Sequence, residues 1–385
     1  MNKIVIVTDS FKGCLSSQEV EKAVETGIHS VLSTCQTVCI PIADGGEGML
    51  EVMVEMTHGE YCEVTVHDPL MRTIPARYGI LGDKETVVIE MAQASGLPLL
   101  RPEERNPLET TSFGTGELIL HALEKGYHKF LIGIGGSATN DAGIGMMQAL
   151  GAKFMKQNGE LIGIGCGKQL ADIYYVNLDR FKSLIHQATF TIACDVNNPF
   201  CGINGAAAVF APQKGATIND VTVLEKGMQS FATQIFKSTG QDIIDLPGAG
   251  AAGGLGGSFY AFFNATLIPG IELILETAHF KERIKDADLI ITGEGKSDRQ
   301  TLMGKVAMGI LKEGMAANVP VILLSGSIAD IQALNDAGFT AVLSVTPEPM
   351  ELERAIQAET AYKNIIQASS QIIRLANTFD NRVSE

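Results

Sequence analysis

One segment of the chain joins a strand pattern to a helix pattern: Lys129-Phe-Leu-Ile-Gly-Ile-Gly-Gly-Ser-Ala-Thr-Asn-Asp-Ala-Gly-Ile-Gly-Met-Met-Gln-Ala-Leu-Gly151. The apolar run 130–134 is typical of a strand buried on both faces, as in parallel α/β sheets. Gly135 and Gly136 then allow a sharp turn and a close approach of the backbone to a ligand, and small polar residues open the helix. The segment therefore predicts a strand, a loop and a helix, with a phosphate or other anion site at the loop.

Other glycine motifs compete with this interpretation. Gly-x4-Gly-Lys-Ser/Thr, the P-loop pattern, does not occur in the sequence. Gly133-x-Gly135-x-x-Ala138 matches the dinucleotide fingerprint, but 153–159 holds no acidic residue about 20 positions later, where the ribose ligand is expected. Gly248-Ala-Gly-Ala-Ala-Gly253 is a further match, yet no apolar strand precedes it, and close helix packing is the favoured explanation. A nicotinamide-dependent oxidoreductase acting on a small hydroxy acid is the alternative that these motifs leave open.

Composition narrows the class of protein. The formal net charge of −15 argues against a nucleic-acid or anionic-membrane partner, because both require a basic face. An acidic chain that handles an anionic substrate must place its cations locally or use a divalent metal ion. Seven cysteines without a Cys-x-x-Cys pair predict buried thiols in a reducing compartment. No signal-peptide core or membrane span is apparent, so a cytoplasmic location is expected, while the oligomeric state stays open.

The strand patterns predict two α/β domains. Five buried-strand runs occur near the two ends of the chain, at 4–7, 38–42, 288–292, 320–325 and 341–345, and each is followed by a segment with helical spacing. From Tyr61 to Ala92 the pattern changes to alternating strands, as in an antiparallel sheet. We therefore expect residues 1–60 and 285–385 to form one parallel-sheet domain, and residues 61–284 to form an inserted α/β domain with a mixed sheet.

Six short motifs, in order along the chain, resemble those of the bacterial glycerate kinase family. They are Asp9-Ser-Phe-Lys-Gly13, Ala43-Asp-Gly-Gly-Glu-Gly48, Gly135-Gly-Ser-Ala-Thr-Asn-Asp141, Ala193-Cys-Asp-Val196, Pro212-Gln-Lys-Gly215 and Thr292-Gly-Glu-Gly-Lys-Ser-Asp298. The resemblance implies ATP-dependent phosphorylation of D-glycerate in an inter-domain cleft. It also implies a flavodoxin-like (Rossmann-like three-layer) domain built from both termini.

The resemblance has small departures. Cys14 stands where the family often has serine. Met71 and Ala142 stand where glycine is usual. These departures concern loop geometry.

Phosphoryl transfer needs Mg²⁺ on carboxylates, cations on phosphate oxygens and an acceptor for the hydroxyl proton. Polar residues of the Gly-rich loops supply all three, and Arg72 could hold the glycerate carboxylate bidentately. We expect catalytic roles for Asp44, Asp195 and Lys12. Substrate-binding roles are expected for Ser10, Lys12, Arg72, Glu47 and Asn140. Nucleotide-binding roles are expected for Gly135, Gly136, Ser137, Lys214, Glu294 and Lys296, and metal-binding roles for Asp141, Asp195 and Asp298. A non-catalytic nucleotide-binding protein is a further alternative, and the choice between the 2- and the 3-hydroxyl stays open.

Overall fold

The computed structural model describes residues 1–42, 48–302 and 306–383. The strands are β1 (Lys3–Thr8), β2 (Gln36–Cys39), β3 (Glu60–His67), β4 (Thr73–Ile80), β5 (Thr86–Glu90), β6 (Lys129–Gly133), β7 (Lys153–Met155), β8 (Tyr175–Asn177), β9 (Thr189–Ala193), β10 (Thr266–Ile268), β11 (Leu289–Ser297), β12 (Val321–Ile328) and β13 (Ala341–Ser344). The helices are α1 (Ser17–His29), α2 (Met49–Thr57), α3 (Ala92–Ser95), α4 (Phe113–Glu124), α5 (Ile144–Ala149), α6 (Asp179–Ile185), α7 (Ala206–Phe210), α8 (Ile218–Thr239), α9 (Ala251–Phe263), α10 (Gly270–Thr277), α11 (Phe280–Arg283), α12 (Val306–Ala316), α13 (Ile331–Asp336), α14 (Leu352–Ala355) and α15 (Ala358–Val383).

One compact unit, the terminal unit, comprises Met1–Asp44 and Ile271–Glu385. Its sheet has the strand order β2-β1-β11-β12-β13, and every pairing is parallel. Numbered within the unit, this is the order 2-1-3-4-5 of flavodoxin-like folds, which confirms the predicted class. Helix α1 begins at a capping box, in which Ser16 and Glu19 bond to each other's backbone N–H. Its apolar face packs with α15 on one side of the sheet.

The other compact unit, the middle unit, comprises Gly45–Gly270. Its main sheet has the order β3-β4-β5-β6-β9-β10, antiparallel from β3 to β5 and parallel from β5 to β10. The sheet is therefore mixed, as predicted. The strands predicted at 4–7 and 288–292 share one sheet, and the strands found within 60–92 belong to the other.

The units divide after residues 44 and 270, and not at the predicted boundaries of 60/61 and 284/285. Helix α2 belongs to the middle unit because it packs on that unit's sheet. A Cβ atom on Gly79 of β4 would lie 2.3 Å from Val54, so only glycine allows this approach. Ile271 packs on Gly309 of α12, which places the start of α10 with the terminal unit. Apolar periodicity does not show which sheet a helix will cover, and the predicted limits were therefore too far along the chain.

The structure also bears on the cysteines and on membrane insertion. All seven cysteines lie among the described residues, and all are free thiols. Cys35, Cys166 and Cys201 are buried, whereas the other four are half-buried, so the predicted burial holds for three of them only. Across residues 1–42, 48–302 and 306–383, no helix combines the length and the apolar character needed to cross a bilayer.

Met71 offers a test of the loop geometry at one of the departures from the family pattern. Its φ is 62°, in the left-handed region that favours glycine. Because a Cβ atom there costs about 1–2 kcal/mol, we expect Met71→Gly to be more stable than Met71→Ala by about 1 kcal/mol, the reverse of the usual order. Urea unfolding midpoints of the two variants measure the difference. A more stable alanine variant would show that the turn is not strained.

Candidate active site

A cavity of about 520 Å³ lies at the carboxyl ends of β6 and β9 in the middle unit. This is the end of a parallel sheet at which α/β proteins bind ligands. The lining residues are Leu97, Pro98, Arg105, Ile134, Gly135, Gly136, Ser137, Ala193, Cys194, Asp195, Val196, Phe210, Gln213, Lys214, Ala251 and Ala252. The cavity thus brings together five predicted site residues from three separate segments: Gly135, Gly136, Ser137, Asp195 and Lys214.

Lys214 is the buried cation of this cavity. It follows α7 in a short turn, and only 2% of its surface is exposed. Its Nζ donates hydrogen bonds to Ser137 Oγ at 2.7 Å and to the Thr139 carbonyl at 2.6 Å. Burial lowers the pKa of Lys214 to about 7, although the negative charge of Asp141 acts in the opposite direction. An ammonium group has three donors, so the protonated form keeps one beyond these two bonds.

Asp141 lies beneath the loop and is completely buried. Its carboxylate accepts hydrogen bonds from the N–H and the hydroxyl of Ser112, at 2.9 and 2.7 Å. It also accepts the N–H groups of Gly143 and Gly145, at 3.1 and 3.2 Å. Burial raises the pKa of Asp141, and these four donors oppose that rise. With its oxygens used in this way, the geometry favours a loop-organising role over the metal-binding role predicted from sequence.

Backbone contacts fix the remainder of the loop. Gly136 has φ 69°, and its carbonyl accepts the N–H of Leu97 at 2.8 Å. The N–H of Ala138 donates to the Ser95 carbonyl at 2.9 Å. On another side, Gly253 lies so close that a Cβ atom on it would be 2.2 Å from the Thr139 carbonyl oxygen. The loop therefore presents Ser137 to the cavity from a backbone that is held on several sides.

Asp195 follows β9 and is the carboxylate that lines the cavity wall. Its Oδ1 accepts the N–H of Gly270 at 2.8 Å, which orients the side chain while the residue remains exposed. An exposed, oriented carboxylate can accept a proton or hold a cation, so both predicted roles of Asp195 stay open as proposals.

Two predicted substrate-binding residues lie outside the cavity lining. Arg72 is already paired within the protein, with Asp68 Oδ2 at 2.5 Å and with Glu104 Oε1 at 2.9 Å. Asn140 is fully buried, and its Nδ2 donates to Met228 Sδ at 3.2 Å. The polar patterns that singled out these residues gave no information on the direction of the side chains. The structure does not bring them to the cavity.

A second group of predicted residues lies at the carboxyl edge of the terminal unit's sheet. The N–H of Asp9 donates to Gly293 O at 2.9 Å, between β1 and β11 where the strand order reverses. Ser10 donates its N–H to Asp9 Oδ1 at 2.6 Å, and the next residues form the exposed turn of Lys12. On β11, Glu294 is buried and accepts the hydroxyl groups of Ser297 and Thr301, at 2.9 and 2.5 Å.

The same sheet edge carries an exposed ion pair. Lys296 Nζ lies 3.3 Å from Asp298 Oδ2. Asp298 Oδ1 also accepts the N–H of Gln300 at 2.8 Å. The predicted Asp44 and Glu47 lie outside the described residues. Within the parts of the chain that are described, no group of three or more His, Cys, Asp or Glu side chains is placed to hold a metal ion.

Arg105 lines the cavity and was not singled out from the sequence. It lies in a polar stretch before α4, whose composition resembles an ordinary loop. The only indirect signal is Gly215, because a glycine in a tight turn often marks a close backbone approach. Here the approaching backbone is that of Arg105, whose carbonyl oxygen would lie 2.2 Å from a Cβ atom on Gly215.

A flavodoxin-like sheet and a mixed sheet in one chain, with a glycine-rich loop beside a buried lysine, place the protein in the class of α/β proteins with a loop suited to bind an anion. Within that class the chain belongs to the glycerate kinase family, whose family description matches residues 4–377.

Individual relatives agree over nearly the whole length. A glycerate kinase of Halalkalibacterium halodurans is 44% identical over 376 residues, covering 96% of this chain and 99% of the relative. A glycerate 2-kinase of Escherichia coli K12 is 44% identical over 371 residues, covering 96% and 97%. A crystal structure from Salmonella typhimurium LT2, of a protein assigned as glycerate kinase 2, superposes with a TM-score of 0.88 at 41% identity and 99% coverage of both chains.

Asp141→Asn separates the loop-organising role from the metal role. An amide keeps the shape but faces at least one N–H with its own NH₂, so we expect the free energy of unfolding to fall by about 2 kcal/mol. Asp195→Asn is the control, because an exposed carboxylate should change stability by less than about 0.5 kcal/mol. Wild-type stability in Asp141→Asn, together with a higher Mg²⁺ requirement, would instead support metal binding.

Proposed function

We propose that the protein transfers the γ-phosphoryl group of ATP to D-glycerate, with Mg²⁺, and releases ADP and a phosphoglycerate. The observation that carries this proposal is the buried Lys214 beside Ser137 in a cavity of nucleotide size. Near-complete coverage of relatives named glycerate kinase supports the identity of the substrate. The name of the Escherichia coli relative favours the 2-hydroxyl as the acceptor.

The chemistry of each cavity residue suits a different part of the proposed reaction. Lys214, when protonated, offers its third N–H to an anionic phosphate oxygen, while its two bonds to the loop hold it in place. Ser137 stands next to it as a hydroxyl donor or acceptor at the cavity surface. Asp195 is the exposed carboxylate suited to hold Mg²⁺, which would neutralise phosphate charge when bound. Apolar wall residues such as Val196 and Phe210 suit the base of the nucleotide.

The alternative oxidoreductase is not favoured. The carbonyl of Gly136 and the N–H of Ala138 bond to the segment around α3. Of the glycines in 248–253, Gly253 packs against the same loop, and Gly248 and Gly250 pack against the 194–199 segment. Both fingerprint matches thus have a packing explanation. Turnover of glycerate with ATP, and none with NAD(P), is the direct comparison.

Product identity can be measured in a coupled assay. Enolase accepts 2-phosphoglycerate but requires a mutase before it can use the 3-isomer. We expect phosphoenolpyruvate to form with enolase alone, because the acceptor is proposed to be the 2-hydroxyl. Formation only after addition of a mutase would assign the 3-hydroxyl.

Replacement of the buried cation tests the nucleotide site. Lys214→Met keeps an apolar stem but removes the phosphate donor, so we expect kcat/KM for ATP to fall on the order of 100-fold. Lys168→Met is the matched control, since Lys168 is exposed and paired with Glu109, and its kcat/KM should stay at the wild-type value. A fall in glycerate affinity with unchanged KM for ATP would place the substrate, and not the nucleotide, in this cavity.

The pH dependence provides a separate test. The protonated form of Lys214 binds phosphate, and its pKa in the free protein is about 7. We therefore expect kcat/KM for ATP to fall as the pH rises above about 7, approaching tenfold per pH unit, because that ratio reports groups of the free enzyme. In Lys214→Met this fall of kcat/KM above pH 7 should be absent. The same fall in the variant would assign the titration to another group.

A further inference from the structure

Arg105 is a cation that lines the cavity. Its Nε is buried and has no hydrogen-bond partner within the described part of the chain. The residue as a whole is half-buried and lines the same cavity as Lys214. A buried donor left unpaired costs about 1–3 kcal/mol, and more when the group is charged, so its position calls for an acceptor from a ligand or a solvent molecule.

The neighbouring arginines show why Arg105 differs. Arg101 and Arg72 both pair with Glu104, each at 2.9 Å from its Oε1. That carboxylate is therefore shared by two cations of the same region. Within the described residues, Arg72 and Arg101 form ion pairs, whereas Arg105 forms none.

Backbone packing holds Arg105 and Lys214 together. Gly215, which follows Lys214, has φ 95° and lies directly against the main chain of Arg105. Any side chain at this glycine would collide with the Arg105 carbonyl group, at 2.2 Å from the oxygen and 2.9 Å from the carbon. The turn that carries the lysine and the segment that carries the arginine are thus fixed to each other, and the two cations reach the cavity as a pair.

We propose that Arg105 is a nucleotide-binding residue that, with Lys214, contacts the β- and γ-phosphate groups of ATP. The inference rests on the proposed function. Two cations match a polyphosphate better than a single carboxylate, and the guanidinium can bind phosphate oxygens bidentately. The cavity of about 520 Å³ also has an apolar wall that includes Leu97 and Phe210. Such a volume is typical for ligands of nucleotide size, whereas a three-carbon acid would leave most of it empty.

The test measures binding of ATP, ADP, AMP and adenosine at equilibrium to wild-type protein and to Arg105→Gln. Loss of the guanidinium should weaken ATP and ADP about 10- to 100-fold, weaken AMP much less and leave adenosine unchanged. Arg105→Lys keeps the charge but not the planar guanidinium, so its affinity for ATP and ADP should lie between those of the wild type and Arg105→Gln. Arg101→Gln is the matched control, because it removes an arginine from the same segment that is exposed and already paired. Its binding should equal that of the wild type.

The outcomes separate this inference from the proposed function. Wild-type ATP affinity in Arg105→Gln together with weakened affinity in Lys214→Met would overturn the role of Arg105 alone. Wild-type ATP affinity in both variants would remove the nucleotide from this cavity and overturn the proposed function as well. A raised KM for glycerate with unchanged ATP binding would assign Arg105 to the substrate carboxylate and overturn the inference. Thermal unfolding of each variant, and the behaviour of Arg105→Lys, show whether a loss reflects the contact or the fold.

Discussion

The buried carboxylate of Asp141 is the constraint on which the candidate site depends. It collects the N–H and hydroxyl of Ser112 and two N–H groups at the start of α5, and so joins the segment before α4 to the loop after β6. A charge without solvent is tolerated only where donors surround it, and these four donors meet that condition. These bonds hold the loop that displays Ser137 at the cavity.

Lys214 depends on this arrangement in turn. Its direct partners are neutral, a hydroxyl and a carbonyl, and the opposite charge of Asp141 acts on it from a distance. Burial without a direct carboxylate partner leaves the pKa near 7, so a small change of surroundings decides the charge. An anionic ligand would favour the ammonium form. The net charge of −15 repels anions from the protein as a whole. A lysine placed in the cavity supplies the local positive charge that an anionic ligand needs.

Much of the fold could be predicted because the decisive signals are local. The run 130–134 predicted the strand found at Lys129–Gly133, and the buried runs at both ends of the chain predicted the parallel sheet. The capping box at Ser16 and Glu19 is a local signal of the same kind, and α1 begins there. The limits of the units were predicted less well, since the position of α2 depends on contacts with Gly79, which is distant in sequence.

The site could be predicted only at the level of loops. Sequence patterns identified the segments of Gly135, Asp195 and Lys214, and the sheet topology brings those segments to one cavity. Such patterns do not predict the direction of a side chain. Arg72 forms ion pairs with Asp68 and Glu104, although its guanidinium suits a carboxylate ligand. Arg105 was missed for the converse reason, because nothing in its local sequence distinguishes an unpaired arginine from a solvated one.

The glycine-rich segment 248–253 shows the limit of motif spacing most clearly. Ala252, Gly253 and Gly254 are successive left-handed residues at the start of α9, a backbone that glycine tolerates and alanine does not favour. Their purpose in the fold is contact with protein, because Gly253 lies against Thr139 and its carbonyl accepts the N–H of Ala142 at 3.0 Å. Glycine permits close approach to a ligand and to another chain segment equally well. The same spacing therefore occurs in the loop at 133–138, which lines the cavity, and at 248–253, where Gly253 packs against that loop.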